Sequence, residues 1–197
     1  MSSATATPPP PPPPPAAAVE ITRAALKIGI VGFGPFAQFL SKTILKHHPQ
    51  YSITATSRSD YSHLSSRLGI PFFRDLERFC EEDHDVILLC PSILSFSHII
   101  RSIPFNRFPK PPLVVDVLSV KEYPKDLLLH VLPEGCDLLC THPMFGPESG
   151  KDGWNNLAFV YDKVRIRDQH ICNTFLWIFE REAAFAKESL SLSALRY

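Results

Sequence analysis

From position 27 onward, apolar residues fall into short aliphatic runs separated by segments whose apolar positions recur at helical spacing. Residues 27–31 (Lys-Ile-Gly-Ile-Val) read as a buried strand, and residues 35–47 as a helix with Phe36, Phe39, Leu40, Ile44 and Leu45 on its apolar side. Strand 52–56 follows, then a short helix at 61–68, a short strand at 71–73 and a helix at 75–80 with Asp75 as its cap. The pattern continues with strand 85–90, helix 94–101, strand 113–117, helix 121–131 and strand 137–140, which runs into Thr141-His142-Pro143. A further strand at 158–161 and a final helix at 169–187 complete it. The β-α-β-α order of the first half predicts an α/β fold built on a doubly wound, mostly parallel sheet.

The first strand leads directly into Gly32-Phe33-Gly34-Pro35-Phe36-Ala37 and then into the first helix. A G-x-G-x-x-A string alone is a weak signal, but strand before and helix after are the context of a dinucleotide-binding (Rossmann) turn. Gly32 allows the tight turn, Gly34 lets backbone approach a pyrophosphate, and Ala37 permits close helix–sheet packing. Phe36 opens the helix whose N–H groups face the phosphates. A glycine-rich turn without a ligand is the plain alternative. After the second strand stand Thr56-Ser57-Arg58-Ser59, with no acid before Asp60. Hydroxyls and a guanidinium fork suit the 2′-phosphate of NADP, whereas a carboxylate there would select NAD; a solvated loop arginine is the alternative for Arg58.

Residues 1–25 lie outside this pattern. Ser, Thr and Ala lead into eight consecutive prolines at positions 8–15 and then an alanine run, a composition that extends as polyproline and joins no core. The scarcity of acids fits an organelle transit peptide. However, Arg23 is the one basic residue before Lys27, and the proline run lacks the flanking arginines of an SH3 or WW ligand. A disordered tail is the reading preferred. The domain plan is a tail at 1–25, a dinucleotide-binding domain at 26–182 and a divergent, helical or frayed tail at 183–197.

Composition narrows the partners. Hydrophobic residues make up 45% of the chain, enough for an ordinary core. Twenty basic residues balance twenty acidic ones, which argues against nucleic acid and anionic membrane. No apolar run approaches the roughly 20 residues that span a bilayer. The five cysteines, Cys80, Cys90, Cys136, Cys140 and Cys172, are odd in number and scattered, so reduced thiols are expected. Cys136 and Cys140 have no second pair at zinc spacing, and no metal site is expected.

Of the eight histidines, His142 alone combines a strand end with Pro and Gly-rich flanks; the other seven read as solvated on helices or loop edges. An imidazole at a strand end can polarise or deprotonate a substrate hydroxyl, although a structural role stays open. The segment Asp116-Val117-Leu118-Ser119-Val120-Lys121, the segment Thr141-His142-Pro143-Met144-Phe145-Gly146-Pro147-Glu148-Ser149-Gly150, Trp154 and residues 159–163 together resemble the plant-type arogenate dehydrogenases. These belong to the prephenate/arogenate dehydrogenase family of tyrosine biosynthesis. The resemblance covers about residues 27–182. It implies NADP-dependent oxidative decarboxylation of arogenate to tyrosine, usually in plastids, with prephenate as a secondary substrate.

Carried over by position, His142 would take the proton of the ring 4-hydroxyl and Ser119 would orient that hydroxyl near the nicotinamide. Ser92 would lie by the nicotinamide ribose. Lys121 would either neutralise a phosphate or carboxylate or sit in the first turn of its helix. The family continues into a helical domain that forms the dimer and closes over substrate. The likeness fades after Glu182, so that domain is expected to be absent and arogenate turnover to be weak or lost. The alternatives are a catalytically silent NADP-binding fragment acting through protein interactions, and a cytosolic in place of a chloroplast location.

Overall fold

The computed structural model describes residues 25–182 and 185–188, so the proline-rich tail lies outside the described residues. Its strands are β1 (Lys27–Val31), β2 (Ser52–Thr56), β3 (Phe72–Phe73), β4 (Val86–Leu89), β5 (Leu113–Asp116), β6 (Asp137–Pro143), β7 (Ala158–Arg165) and β8 (Phe185–Glu188). Between them run helices α1 (Pro35–His47), α2 (Ser62–Arg67), α3 (Leu76–Glu81), α4 (Ile93–Ser102), α5 (Glu122–Val131) and α6 (Gln169–Arg181). All strands join one sheet in the order β3-β2-β1-β4-β5-β6-β7-β8. The first six are parallel, β7 is antiparallel to β6, and β8 is parallel to β7. Strand order reverses between β1 and β4, the place where an open α/β sheet leaves a crevice at its carboxyl edge.

Alternation along the central strands divides the core between two faces. Val86 and Leu88 of β4 pack with Leu40 and Ile44 of α1 and Phe175 and Phe179 of α6. Ile87 and Leu89 pack on the opposite face with Phe79 of α3, Phe96 and Ile100 of α4, and Leu127 and Leu128 of α5. Helices on both faces explain why these strands are apolar throughout. Asp75 caps α3 by accepting from the Glu77 and Arg78 amides at 2.9 and 3.4 Å.

Three features depart from the sequence pattern. Strand β6 continues past Cys140 through Pro143, because β7 supplies an antiparallel partner and pairs His142 with Val160. The last helix ends at Arg181 rather than near position 187, and Phe185–Glu188 forms β8 where a helical or frayed tail was expected. The outer edge of β7 carries backbone groups that need partners, and this segment takes them.

The third departure concerns histidine. His48 and His84 are only 1% and 2% exposed, not solvated. His84 shares a 2.7 Å hydrogen bond with the Thr54 hydroxyl, while the His48 ring stacks on Tyr51 at 5.2 Å and 7°. Burial pushes both imidazoles down to about 4, with Arg181 and His47 adding to the effect at His48. Trp177 packs on His48 and Phe108 on His84 from distant parts of the chain, contacts that local patterning misses. His47, His63, His98, His130 and His170 are exposed.

Candidate functional site

The β1–α1 turn shows two glycines held for different reasons. Gly32 has φ +92°, and a Cβ there would lie 2.8 Å from the Cys90 carbonyl carbon and the Pro91 nitrogen. Its amide donates to the Thr56 carbonyl at 2.9 Å, closing the turn onto β2. The fold itself therefore demands glycine at this position. Gly34 is different: its φ is −73° and a Cβ would meet no atom within 4 Å. Among the described residues nothing requires glycine there, and the position lines the crevice. Gly34 also caps α1 without any side-chain hydrogen bond, and α1 has no acid in its first turn. The amides of its first turn are left for an anion. Ala37 is 1% exposed and packs into the core beneath.

The crevice is a cleft of about 290 Å³ whose walls include Gly32, Gly34, Ser57, Arg58, Arg74 and Ser92. Its mouth is cationic, and the acid nearest in sequence is engaged elsewhere. Asp60 accepts the Ser62 amide at 2.9 Å at the start of α2, and that pairing, reinforced by Arg74, holds its carboxyl below the usual range. A second pocket of about 280 Å³ lies beside it and is lined by Phe36, Cys90, Pro91, Ser92, Val117 and Ser119, among others. Cys90, Pro91 and Ser92 line both, so the two adjoin as a trough in two parts along the carboxyl edge. The Ser92 hydroxyl lies 2.6 Å from that of Ser95.

Of the residues singled out from sequence, Gly32, Gly34, Phe36, Ser57, Arg58, Ser92 and Ser119 line this trough; Ala37 supports it from below. An open anion-binding helix end, an unfilled glycine position and a hydroxyl-and-guanidinium mouth together fit a phosphorylated dinucleotide. Arg74, which lines the same cleft as Arg58, was missed because it follows a strand of two residues.

His142 lies one strand beyond the trough and does not line the second pocket. Its ring is 5% exposed, and burial, with Lys121 adding to it, lowers its pKa from the ordinary value. Of the roles expected for Lys121, neutralising a phosphate or carboxylate or sitting in the first turn, the structure shows it at the N-cap of α5 with its ammonium on a carboxylate of the chain itself. It is 5% exposed and donates to the Asp116 carboxylate and to the Thr141 carbonyl, the residue before His142. The Thr141 hydroxyl in turn donates to the Asp116 carbonyl at 2.7 Å. Burial pushes the fully enclosed Asp116 carboxyl up, and the Lys121 ammonium opposes that shift. A buried ion pair thus clamps the carboxyl ends of β5 and β6.

The loop after His142 is anchored by rings rather than by charges. Phe145 and Trp154 lie 5.1 Å apart in the core, and Trp154 stacks on Phe179 at 5.3 Å. Among the described residues no three His, Cys, Asp or Glu side chains are grouped to hold a metal, and Cys136 and Cys140 are buried. No helix among them is long and apolar enough to cross a membrane.

Comparison with known proteins agrees with this geometry. A family model described as prephenate dehydrogenase, nucleotide-binding domain, matches residues 40–166. Arogenate dehydrogenase 1, chloroplastic, of Arabidopsis thaliana is 56% identical over 161 residues, which is 80% of this chain and 25% of that protein. Arogenate dehydrogenase 2, chloroplastic, of the same plant is 53% identical over 163 residues, 81% of this chain and 45% of that protein. The chain thus spans less than half the length of either relative. Among solved structures, prephenate dehydrogenase from A. aeolicus in complex with hydroxyphenyl propionate and NAD+ superposes with a TM-score of 0.70 at 16% identity, covering 85% of this chain and 61% of that one. Synechocystis arogenate dehydrogenase gives 0.65 at 19%, covering 83% and 59%. These two share the fold.

Proposed function

The chain belongs to the prephenate dehydrogenase family through its nucleotide-binding domain, and from that premise we propose that it binds NADP and serves the oxidative decarboxylation of arogenate to tyrosine. The observation carrying this reading is the pair of adjoining pockets that run from the Ser57–Arg58 mouth, past the open position at Gly34, to Ser92 and Ser119. In it, Ser57 and Arg58 hold the 2′-phosphate, and the first-turn amides of α1 hold the pyrophosphate. Ser92 sits where the two pockets meet, at the nicotinamide end. Bound NADP supplies a hydride acceptor for the ring carbon that carries the 4-hydroxyl.

The chain's own groups manage the proton. Burial keeps the His142 imidazole neutral at physiological pH, so a ring nitrogen can accept the proton of that hydroxyl. Lys121 acts through the Thr141 carbonyl to fix the strand that presents His142, and is a positioning residue. Ser119 orients the hydroxyl. Loss of carbon dioxide then aromatises the ring and makes the reaction effectively irreversible. Prephenate, with the same ring, is a secondary substrate. A chloroplast location follows from the two Arabidopsis relatives, with the cytosol as the alternative.

A second reading rests on the exposed apolar side chains at the reacting end. Leu94, Val120 and Met144 are 96%, 53% and 44% exposed at the carboxyl edge, a surface that does little to exclude water from a reaction. On this reading the 197-residue polypeptide holds NADP, turns over arogenate weakly or not at all, and acts through protein contacts; in longer family members a helical domain supplies the dimer.

NADPH fluorescence titration of the 197-residue polypeptide, paired with an arogenate-dependent absorbance assay, separates the two. Binding with turnover that His142→Asn abolishes supports the enzyme; binding without turnover supports the fragment. Absence of NADPH binding refutes both. Arg58→Ala should weaken NADPH roughly tenfold, the loss of one charge-assisted hydrogen-bonding group, and weaken NADH far less. Equal weakening of the two would remove the 2′-phosphate role.

A further inference from the structure

Strands β2 and β3 run parallel, with Ala55 opposite Phe72 and Thr56 opposite Phe73. Arg58 follows the end of β2 and Arg74 follows the end of β3, so neighbouring strands deliver two guanidinium groups to the same mouth of the cleft. Both side chains are exposed, and neither forms a salt bridge among the described residues. Arg107 and Arg165, by contrast, are committed. Arg107 pairs with Glu77 at 3.1 Å and Glu81 at 3.0 Å, and Arg165 donates to the Cys136 carbonyl at 2.9 Å. Asp60 faces Arg74 electrostatically, and its carboxylate already accepts from the Ser62 amide.

From this geometry we propose that Arg74 is the second jaw of a two-arginine clamp for the 2′-phosphate of NADP and sets the preference for NADP over NAD. The inference rests on the reading that the cleft holds NADP. A phosphomonoester presents three acceptor oxygens and close to two negative charges. Arg58, with the hydroxyls of Ser57 and Ser59, covers it from β2, and Arg74 closes on it from β3. Each planar fork can engage two oxygens, which a lysine cannot reproduce. Leu76 and Ile99 line the same cleft and offer apolar surface to the adenine.

The test titrates the full chain, Arg74→Ala, Arg74→Lys and Arg58→Ala with NADPH, NADH, 2′,5′-ADP and 5′-ADP. Thermal melts check that each variant stays folded. For Arg74→Ala, NADPH and 2′,5′-ADP should weaken about tenfold, the scale of losing one charge-assisted group. NADH and 5′-ADP should stay within about twofold, and Arg74→Lys should restore part of the loss. Combining Arg58→Ala with Arg74→Ala should erase the preference for NADPH. Unchanged NADPH affinity in Arg74→Ala would falsify the clamp while Arg58 keeps its role. Equal weakening of NADPH and NADH would make Arg74 an adenine-stacking residue and overturn the proposal. A parent chain with no preference for 2′,5′-ADP over 5′-ADP removes the NADP reading, and the clamp with it.

Discussion

The two ends of the sheet's carboxyl edge handle charge in opposite ways. On the β1–β2–β3 side, Arg58 and Arg74 stand exposed, the α1 amides are uncapped, and Gly34 leaves open space. On the β5–β6 side, Asp116, Lys121, Thr141 and His142 are all buried, and the surface around them carries exposed Val120 and Met144. The first half is made ready for an anion that brings its own charge. The second sets its charges against one another beforehand and leaves a neutral imidazole. Binding and chemistry are thereby separable: substitutions in one half should read out as affinity, and in the other as stability and turnover.

The strongest break of that comparison is Lys121→Met. Removing the ammonium leaves the Asp116 carboxylate enclosed without its cation, a change that costs about 3–5 kcal/mol in buried pairs. Urea unfolding should show that loss, and pairing the change with Asp116→Leu should recover much of it. Below the unfolding transition, NADPH affinity should be essentially unaltered. A matching collapse of NADPH binding would show that the halves are not independent.

Next come the two glycines, which sharpen the contrast within the binding half. Gly32→Ala forces a Cβ at φ +92° into the backbone of Cys90 and Pro91, at a cost of about 2–4 kcal/mol from strain and overpacking together. Gly34→Ala places its methyl group where the chain has no atom within 4 Å. Its melting temperature should match the parent, while NADPH weakens roughly tenfold through crowding of the bound ligand. If Gly34→Ala bound NADPH as the parent does, the pyrophosphate would not lie over this turn.

Much of this site is legible in the sequence because its parts are local. A strand, a two-glycine turn and an amphipathic helix adjoin in the chain, and Ser57 and Arg58 follow the next strand directly. The reaction half resists the same reading. Lys121 can be assigned its place only when β5 and β6 lie side by side, since its two partners are Asp116 and the Thr141 carbonyl. His142 looks like a loop residue until β7 pairs with it. Arg74 hides behind a two-residue strand, and β8 behind a segment whose apolar spacing suits a helix equally well. His48 and His84 look solvated because Trp177 and Phe108, which help to bury them, are brought in by packing. In each case the deciding contact is long-range.

Protons offer the smallest test of the difference. Because burial and Lys121 lower the folded-state pKa of His142, the unfolded chain takes up a proton first as pH falls. The contribution of the neutral ring is complete above the unfolded value near 6.5 and is lost as pH drops toward the lower folded value. One pH unit below 6.5 the loss has a ceiling of about 1.4 kcal/mol per such histidine. The parent and His142→Asn should therefore differ by a constant amount in urea stability from pH 8 to about 6.5, and the parent should fall faster between about 6.5 and 5.5. Both should then continue downward toward pH 4, because His48 and His84 are pushed down to about 4 and still resist charging. Identical acid limbs would mean that the ring charges as readily folded as unfolded. His142 would then gain charge around pH 6.5 as an exposed histidine does, and the contrast with the binding half would fail at the residue to which the proposed reaction assigns the proton.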